Sequence, residues 1–228
     1  MTTTARPNQG VNAYRWLKKD ILHGNFAPGE KLRMAALRER YDLGTGPLRE
    51  ALSQLVSEHL VVAISQRGYR VASMSLEEMH DIYDARAHVE GLVVELAIAR
   101  GDDTWEANII AHQHTLAKVV DLSSPEEVLS VWDERHKAYH NAIAAGCGSH
   151  HLLQARSSLF DQAERYRHLW LQETVFSTEA LDLKRREHAE LTEVLLARDT
   201  QRAVPLVREH LQTPLPIITE VLKARGIA

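Results

Sequence analysis

The apolar positions Ala13, Trp16, Leu17, Ile21 and Leu22 recur at helical intervals, and Gly24 follows where a helix C-terminus favours glycine. FAPGEKL then reads as a Pro-Gly turn. MAALRERY at about 34–41 reads as a short helix, and the two glycines of DLGTG break it. A third helix is predicted to begin with Pro47 near its first turn, where a missing N–H costs nothing. Its apolar face is Leu48, Ala51, Leu52, Leu55 and Val56, with Arg49, Ser53 and Gln54 on or near the other side. VVAISQRGYRVAS gives two β-branched runs around a polar Gln-Arg-Gly turn, a small hairpin. Three helices and a hairpin make a winged helix-turn-helix.

From Ser75 the pattern changes to long helices without strand signals. Ser75 with Glu78 forms a capping-box pattern, and Ser124-Pro125-Glu126-Glu127 combines an N-cap, an N1 proline and a capping acid. Helices are predicted at roughly 76–100, 104–121, 125–145, 149–173, 178–198, 200–212 and 215–224. The fold class is therefore mainly α. A winged helix-turn-helix over residues 1–74 precedes an antiparallel bundle of six or seven helices over 75–228, joined by a short segment near 72–75.

Charge divides along the same line. Residues 1–74 hold 11 Lys+Arg against 6 Asp+Glu, and the remainder 16 against 25. The first part suits a polyanion and the second does not. No apolar run approaches the roughly 18 residues that a membrane span requires, and MTTTARPNQG lacks the apolar core of a signal peptide, so a cytoplasmic location is expected. A single cysteine excludes an internal disulfide framework and zinc sites built on several thiolates. Any metal falls to histidine and carboxylate, and 11 of the 13 histidines lie at or beyond His80.

The segment PGEKLRMAALRERYDLGTGPLREALSQLVSEHLVVAISQRGYRV resembles the winged helix-turn-helix of the GntR family of bacterial transcription regulators. It shares P-G-E-x-L, the P-x-R-E-A-L start of the recognition helix and an R-G wing tip. The resemblance implies double-stranded, palindromic operator DNA as partner. Arg49 would read bases from the major groove, where a bidentate arginine–guanine pair is worth about 1–3 kcal/mol. By the same matching Arg67 and Gly68 form the wing tip, and Thr45 and Gln66 are further DNA-binding candidates. Gly44-Thr45-Gly46 stands where the family usually has Ser-Arg-Thr, so a second reading arginine is missing.

The remainder resembles the all-helical effector domain of the FadR subgroup, through YDARAHVEGLVVELA, HKAYHNAIAAGCGS, EHAELTEVLLARDTQRA and VREHLQ. That likeness implies one divalent metal held by His140, His188 and His210, spaced by 48 and 22 residues. The family's aspartate, four residues before the first histidine, is replaced by His136. Positions i and i+4 share a helix face, so His136 and His140 still converge. Four imidazoles form a neutral ligand set that favours zinc, with nickel or copper as alternatives, over magnesium or manganese. Arg86 matches the family arginine that meets an effector carboxylate. Among Arg156, Arg165 and Arg167, the last is taken as a second effector contact.

The resemblance thus implies a homodimeric, metal-containing DNA-binding regulator, more often a repressor, released by a small organic acid. HxxxH, CGS and LFDQAERYRHL are similar to the branch holding the glutarate-responsive carbon-starvation repressor, which points to a short dicarboxylate. The rivals are a metal-dependent enzyme, a metal sensor and a purely structural metal. Nothing like H-E-x-x-H supplies the general base an enzyme would need. Cys147 is expected to be a half-buried packing residue, and His150 and His151 surface residues at a helix start.

Overall fold

The computed structural model describes residues 9–227 except 66, 67, 173 and 175. The first unit consists of α1 (Gln9–Leu22), β1 (Lys31–Leu32), α2 (Met34–Tyr41), α3 (Thr45–Ser57), β2 (Val61–Ile64) and β3 (Gly68–Val71). The strands form an antiparallel sheet in the order β1-β3-β2, with Val62 opposite Arg70 and Lys31 opposite Arg70 on the other side. β1 has no counterpart in the sequence reading. Its two residues are too few to show alternation, and the Gly29 N–H donates to the Val71 carbonyl to lead it into the sheet.

α3 begins at Thr45, two residues before the expected start. Gly44 takes the extended N-cap conformation, so Gly46 lies inside the first turn and Pro47 still falls where its missing N–H is harmless. Leu48, Leu52 and Leu55 are completely buried against Leu17, Leu37 and Val61. Each such side chain contributes about 1.5–3 kcal/mol of transfer free energy.

The second unit contains α4 (Leu76–Arg100), α5 (Asp103–Ala117), α6 (Pro125–Glu127), α7 (Glu134–Ala145), α8 (His150–Leu171), α9 (Thr178–Leu196), α10 (Thr200–Gln212) and α11 (Leu215–Ala224). The Ser75 and Ser124 hydroxyls accept the Glu78 and Glu127 N–H groups, capping α4 and α6. The helix expected over 125–145 is not uniformly α. A π-helical segment, Val128–Asp133, joins α6 to α7, and its wider turn lets Val128, Trp132 and Asp133 all be buried ahead of Tyr139 and His140. α5 stops four residues short of its expected end, and the Val119 carbonyl accepts from Arg185 Nη1 instead.

The apolar interior is in two parts. One gathers residues between Ala13 and Val71, the other residues between Met79 and Leu222, including Tyr83, Trp105, Tyr139 and Tyr166. α8 connects them. Its Arg165 donates to the Ala72 carbonyl, its Tyr166 hydroxyl accepts from the Ser75 N–H at 3.3 Å and donates to Glu78, and its Asp161 pairs with Lys18 of α1 at 2.6 Å.

Candidate functional site

Arg49 lies on the exposed face of α3, between the buried Leu48 and Leu52, and Thr45 is half-buried at the first helical position. Gly68 opens β3 with φ +92°, a left-handed conformation open to glycine at no steric cost. Gln66 and Arg67 lie outside the described residues.

In the second unit α7 supplies His136 and His140 from successive turns, α9 supplies His188 and α10 supplies His210. One ring nitrogen from each comes together, all within 4.8 Å of one another. His140 Nε2 lies 3.1 Å from His136 Nε2 and 3.2 Å from His210 Nε2. Ligand nitrogens about 2.0–2.1 Å from one ion stand roughly 2.9–3.4 Å apart in octahedral or tetrahedral geometry, so these spacings suit coordination. A single Nε2 has either one hydrogen or one lone pair, and cannot bond well to both neighbours.

The outer contacts agree. His188 Nδ1 lies 2.6 Å from the Lys184 carbonyl, which can only accept, so Nδ1 carries the hydrogen and Nε2 keeps its lone pair. That Nε2 is buried and has no hydrogen-bond partner in the protein. Such an orphaned lone pair is costly unless a cation or donor meets it. His210 Nδ1 faces Glu187 at 3.6 Å, and His136 stacks on Trp132 with ring centroids 4.6 Å apart. Burial, then repulsion from neighbouring imidazoles, holds His136 and His140 well below the usual histidine range. Burial and His210 take His188 down to about 3. These three rings are neutral donors at pH 7.

A pocket of about 490 Å³, its open mouth included, adjoins this cluster and is lined by His136, His210, Arg86, Arg167, Phe160 and Lys184 among others. Arg86, from α4, is buried and stacks its guanidinium over Phe160 at 4.8 Å. Its Nε is 3.8 Å from Glu90 Oε1, too far for a hydrogen bond, and Glu90 Oε2 accepts from Arg156 Nε at 2.9 Å.

The three arginines of α8 separate by task. Arg156 holds Glu90 and Asn141, Arg165 holds carbonyls of residues 72 and 73, and Arg167 lines the pocket. Arg167 donates to Asp133 and Glu164 but leaves a buried Nη1 without a partner. Lys184, one turn before His188, is a pocket residue that the sequence reading does not contain. It lies 5.3–5.8 Å from the ring centres of Trp132, Trp170 and Phe176, and burial lowers its pKa. The signal available was its i, i+4 spacing from His188.

Cys147 is completely buried, not half-buried as expected, because the turn after α7 packs against Trp105. A Cβ on Gly146 would come within 2.7 Å of the Trp105 indole nitrogen, whose N–H donates to the Ile143 carbonyl. His150 and His151 are exposed in the first turn of α8.

A three-helix unit with a β-hairpin, attached to an all-helical unit with a polar pocket, is the architecture of a DNA-binding transcriptional regulator. Residues 9–71 match the bacterial regulatory proteins of the gntR family, and residues 81–213 match the FCD domain. The chain belongs to the GntR family and carries an FCD domain. The HTH-type transcriptional repressor GlaR of Escherichia coli (strain K12) is 57% identical over 212 residues, covering 93% of this chain and 96% of that protein. The uncharacterized HTH-type transcriptional regulator BphR of Paraburkholderia xenovorans (strain LB400) is 31% identical over 209 residues, 91% of this chain and 84% of that one. E. coli McbR/YncC has the same fold, with a TM-score of 0.77 at 19% identity over 94% of this chain and 99% of that structure. Among the described residues, no helix is long and apolar enough to cross a membrane.

Proposed function

We propose that the chain is a homodimeric repressor whose hold on a palindromic operator is released by a small carboxylate bound beside a histidine-held divalent metal. The observation that carries this reading is that the four-imidazole cluster adjoins, through His136 and His210, a pocket lined by two buried guanidiniums, each with a nitrogen that has no hydrogen-bond partner. His136, His140, His188 and His210 would hold the ion, zinc by preference and nickel as the alternative. When bound, the metal supplies a positive centre that takes one carboxylate oxygen. Arg86 and Arg167 grip the remaining oxygens, as planar guanidiniums do. Lys184, which also lines the pocket, adds positive charge that suits the second carboxylate of a short dicarboxylate.

Repression is supported by the likeness to GlaR, a transcriptional repressor. A two-fold dimer would present two α3 helices to half-sites whose spacing the dimer sets. The acid can shift that geometry only by its different affinity for the two states. Operator binding followed by fluorescence anisotropy tests this, with succinate, glutarate or adipate titrated against zinc-loaded and metal-free protein. Release is expected only with zinc bound, and equal release from both forms would remove the metal from the effector site.

A metal-sensing reading is favoured by one observation, since four imidazoles already complete a tetrahedral ion. Under it, zinc alone changes operator affinity with no acid present.

A further inference from the structure

Buried charge gathers a second time where Asp133 faces Glu164 of α8. Lys137 Nζ is 2.8 Å from Asp133 and also pairs with Glu164, and Arg167 bonds to both carboxylates. His168 Nε2 lies 3.2 Å from Asp133 Oδ2 and 3.3 Å from Glu164 Oε2. Asp133, Glu164 and His168 are near enough together to hold a metal. Lys137 and Arg167 already balance the two carboxylates, however, and a divalent ion would leave excess positive charge in a buried place.

The arrangement has a direction. On one side Arg167 lines the effector pocket. On the other, His168 Nδ1 lies 2.7 Å from the carbonyl of Leu22, the last residue of α1, and Gln172 donates to the next carbonyl, that of His23. The Leu22 carbonyl only accepts, so Nδ1 carries the hydrogen. Nε2 also faces acceptors, the two carboxylates, so the ring they hold is an imidazolium that donates from both nitrogens.

We infer that His168 is the positioning residue that couples the pocket to the DNA-binding unit, through Arg167, Asp133 and Glu164 on one side and the Leu22 carbonyl on the other. An anion that draws Arg167 toward the pocket withdraws it from the two carboxylates, lets them shift and carry the His168 ring with them, and so loosens the end of α1. The inference rests on the reading of the pocket as an effector site, but its test adds no effector. It can therefore fail or hold independently of that reading.

The experiment is hydrogen exchange of residues 19–25 in the full-length chain. Asp133→Asn disturbs the network without ligand and is expected to speed exchange there roughly tenfold, as the loss of one hydrogen bond to a charged group would. His168→Asn keeps a donor near the Nδ1 position and has no atom at Nε2, so in that background Asp133→Asn should change nothing further. His168→Gln, which loses the Leu22 bond, should speed exchange by itself. If Asp133→Asn leaves the domain incompletely folded, as exchange of α4 and α10 reports, Arg167→Lys takes its place with the same expectation. Unchanged exchange at residues 19–25, or an equal effect in the wild-type and His168→Asn backgrounds, overturns the inference.

Discussion

His188 turns Nδ1 onto the Lys184 carbonyl 2.6 Å away, and that bond leaves its Nε2 as a buried lone pair facing three other imidazoles. The first prediction concerns this ring. His188→Ala should weaken zinc binding by more than about tenfold, the lower bound for disturbing even an outer contact of a metal site. His136→Asp should keep the metal while shifting preference toward harder ions. Competition against a chromophoric chelator measures both, and zinc affinity unchanged in His188→Ala would take that residue out of the ligand set.

Arg49→Ala should cost operator affinity about 1–3 kcal/mol and relax discrimination at one base position. The side chain is exposed on α3 and should leave the thermal midpoint almost unmoved. Anisotropy with single-base operator variants provides the check. Equal losses on every sequence would make Arg49 a phosphate contact.

Arg86→Met retains much of the packing against Phe160 while removing the charge. Without effector, operator affinity should stay within about twofold, while dicarboxylate affinity falls at least tenfold, in line with a charged hydrogen bond of about 1.5–3 kcal/mol. Calorimetry on zinc-loaded protein measures the second quantity.

Acid stability should depend on Arg167. Burial would raise the pKa of Asp133 and Glu164, but Arg167 and the neighbouring cations overcome it and hold both below the ordinary carboxylate range. Their stabilisation is complete above the unfolded values of about 4 and is lost as pH falls toward the folded values. Arg167→Met should therefore move the acid-unfolding midpoint of metal-free protein to higher pH, read by tryptophan fluorescence. A midpoint that stays put or falls would refute the assignment.

Gly146→Ala places a methyl group against the buried Trp105 ring and should destabilise the second unit by about 1–3 kcal/mol, as overpacking does. Denaturant unfolding measures it.

What could be read along the chain was local. The Ser75 and Ser124 caps, the HxxxH spacing of His136 and His140, and the buried stripe of α3 all depend on neighbours within one or two turns. The Asp133–Arg167 pair joins residues 34 positions apart, and Glu90–Arg156 joins residues 66 apart, so no periodic signal announced which arginine the pocket would receive. The π segment at Val128–Asp133 was hidden for a related reason, since one wide turn leaves no repeat to detect. Lys184 carries no local signal of its aromatic setting either, because its partners, Trp132, Trp170 and Phe176, are not its neighbours in sequence.

The most direct test of the metal-held pocket is X-ray absorption at the zinc edge of the full-length protein, loaded with one equivalent of zinc. The account predicts four nitrogen scatterers at about 2.0–2.1 Å with the multiple scattering of imidazole, and an added oxygen when a short dicarboxylate is present. A protein that takes up no zinc, or a first shell without imidazole, would contradict it.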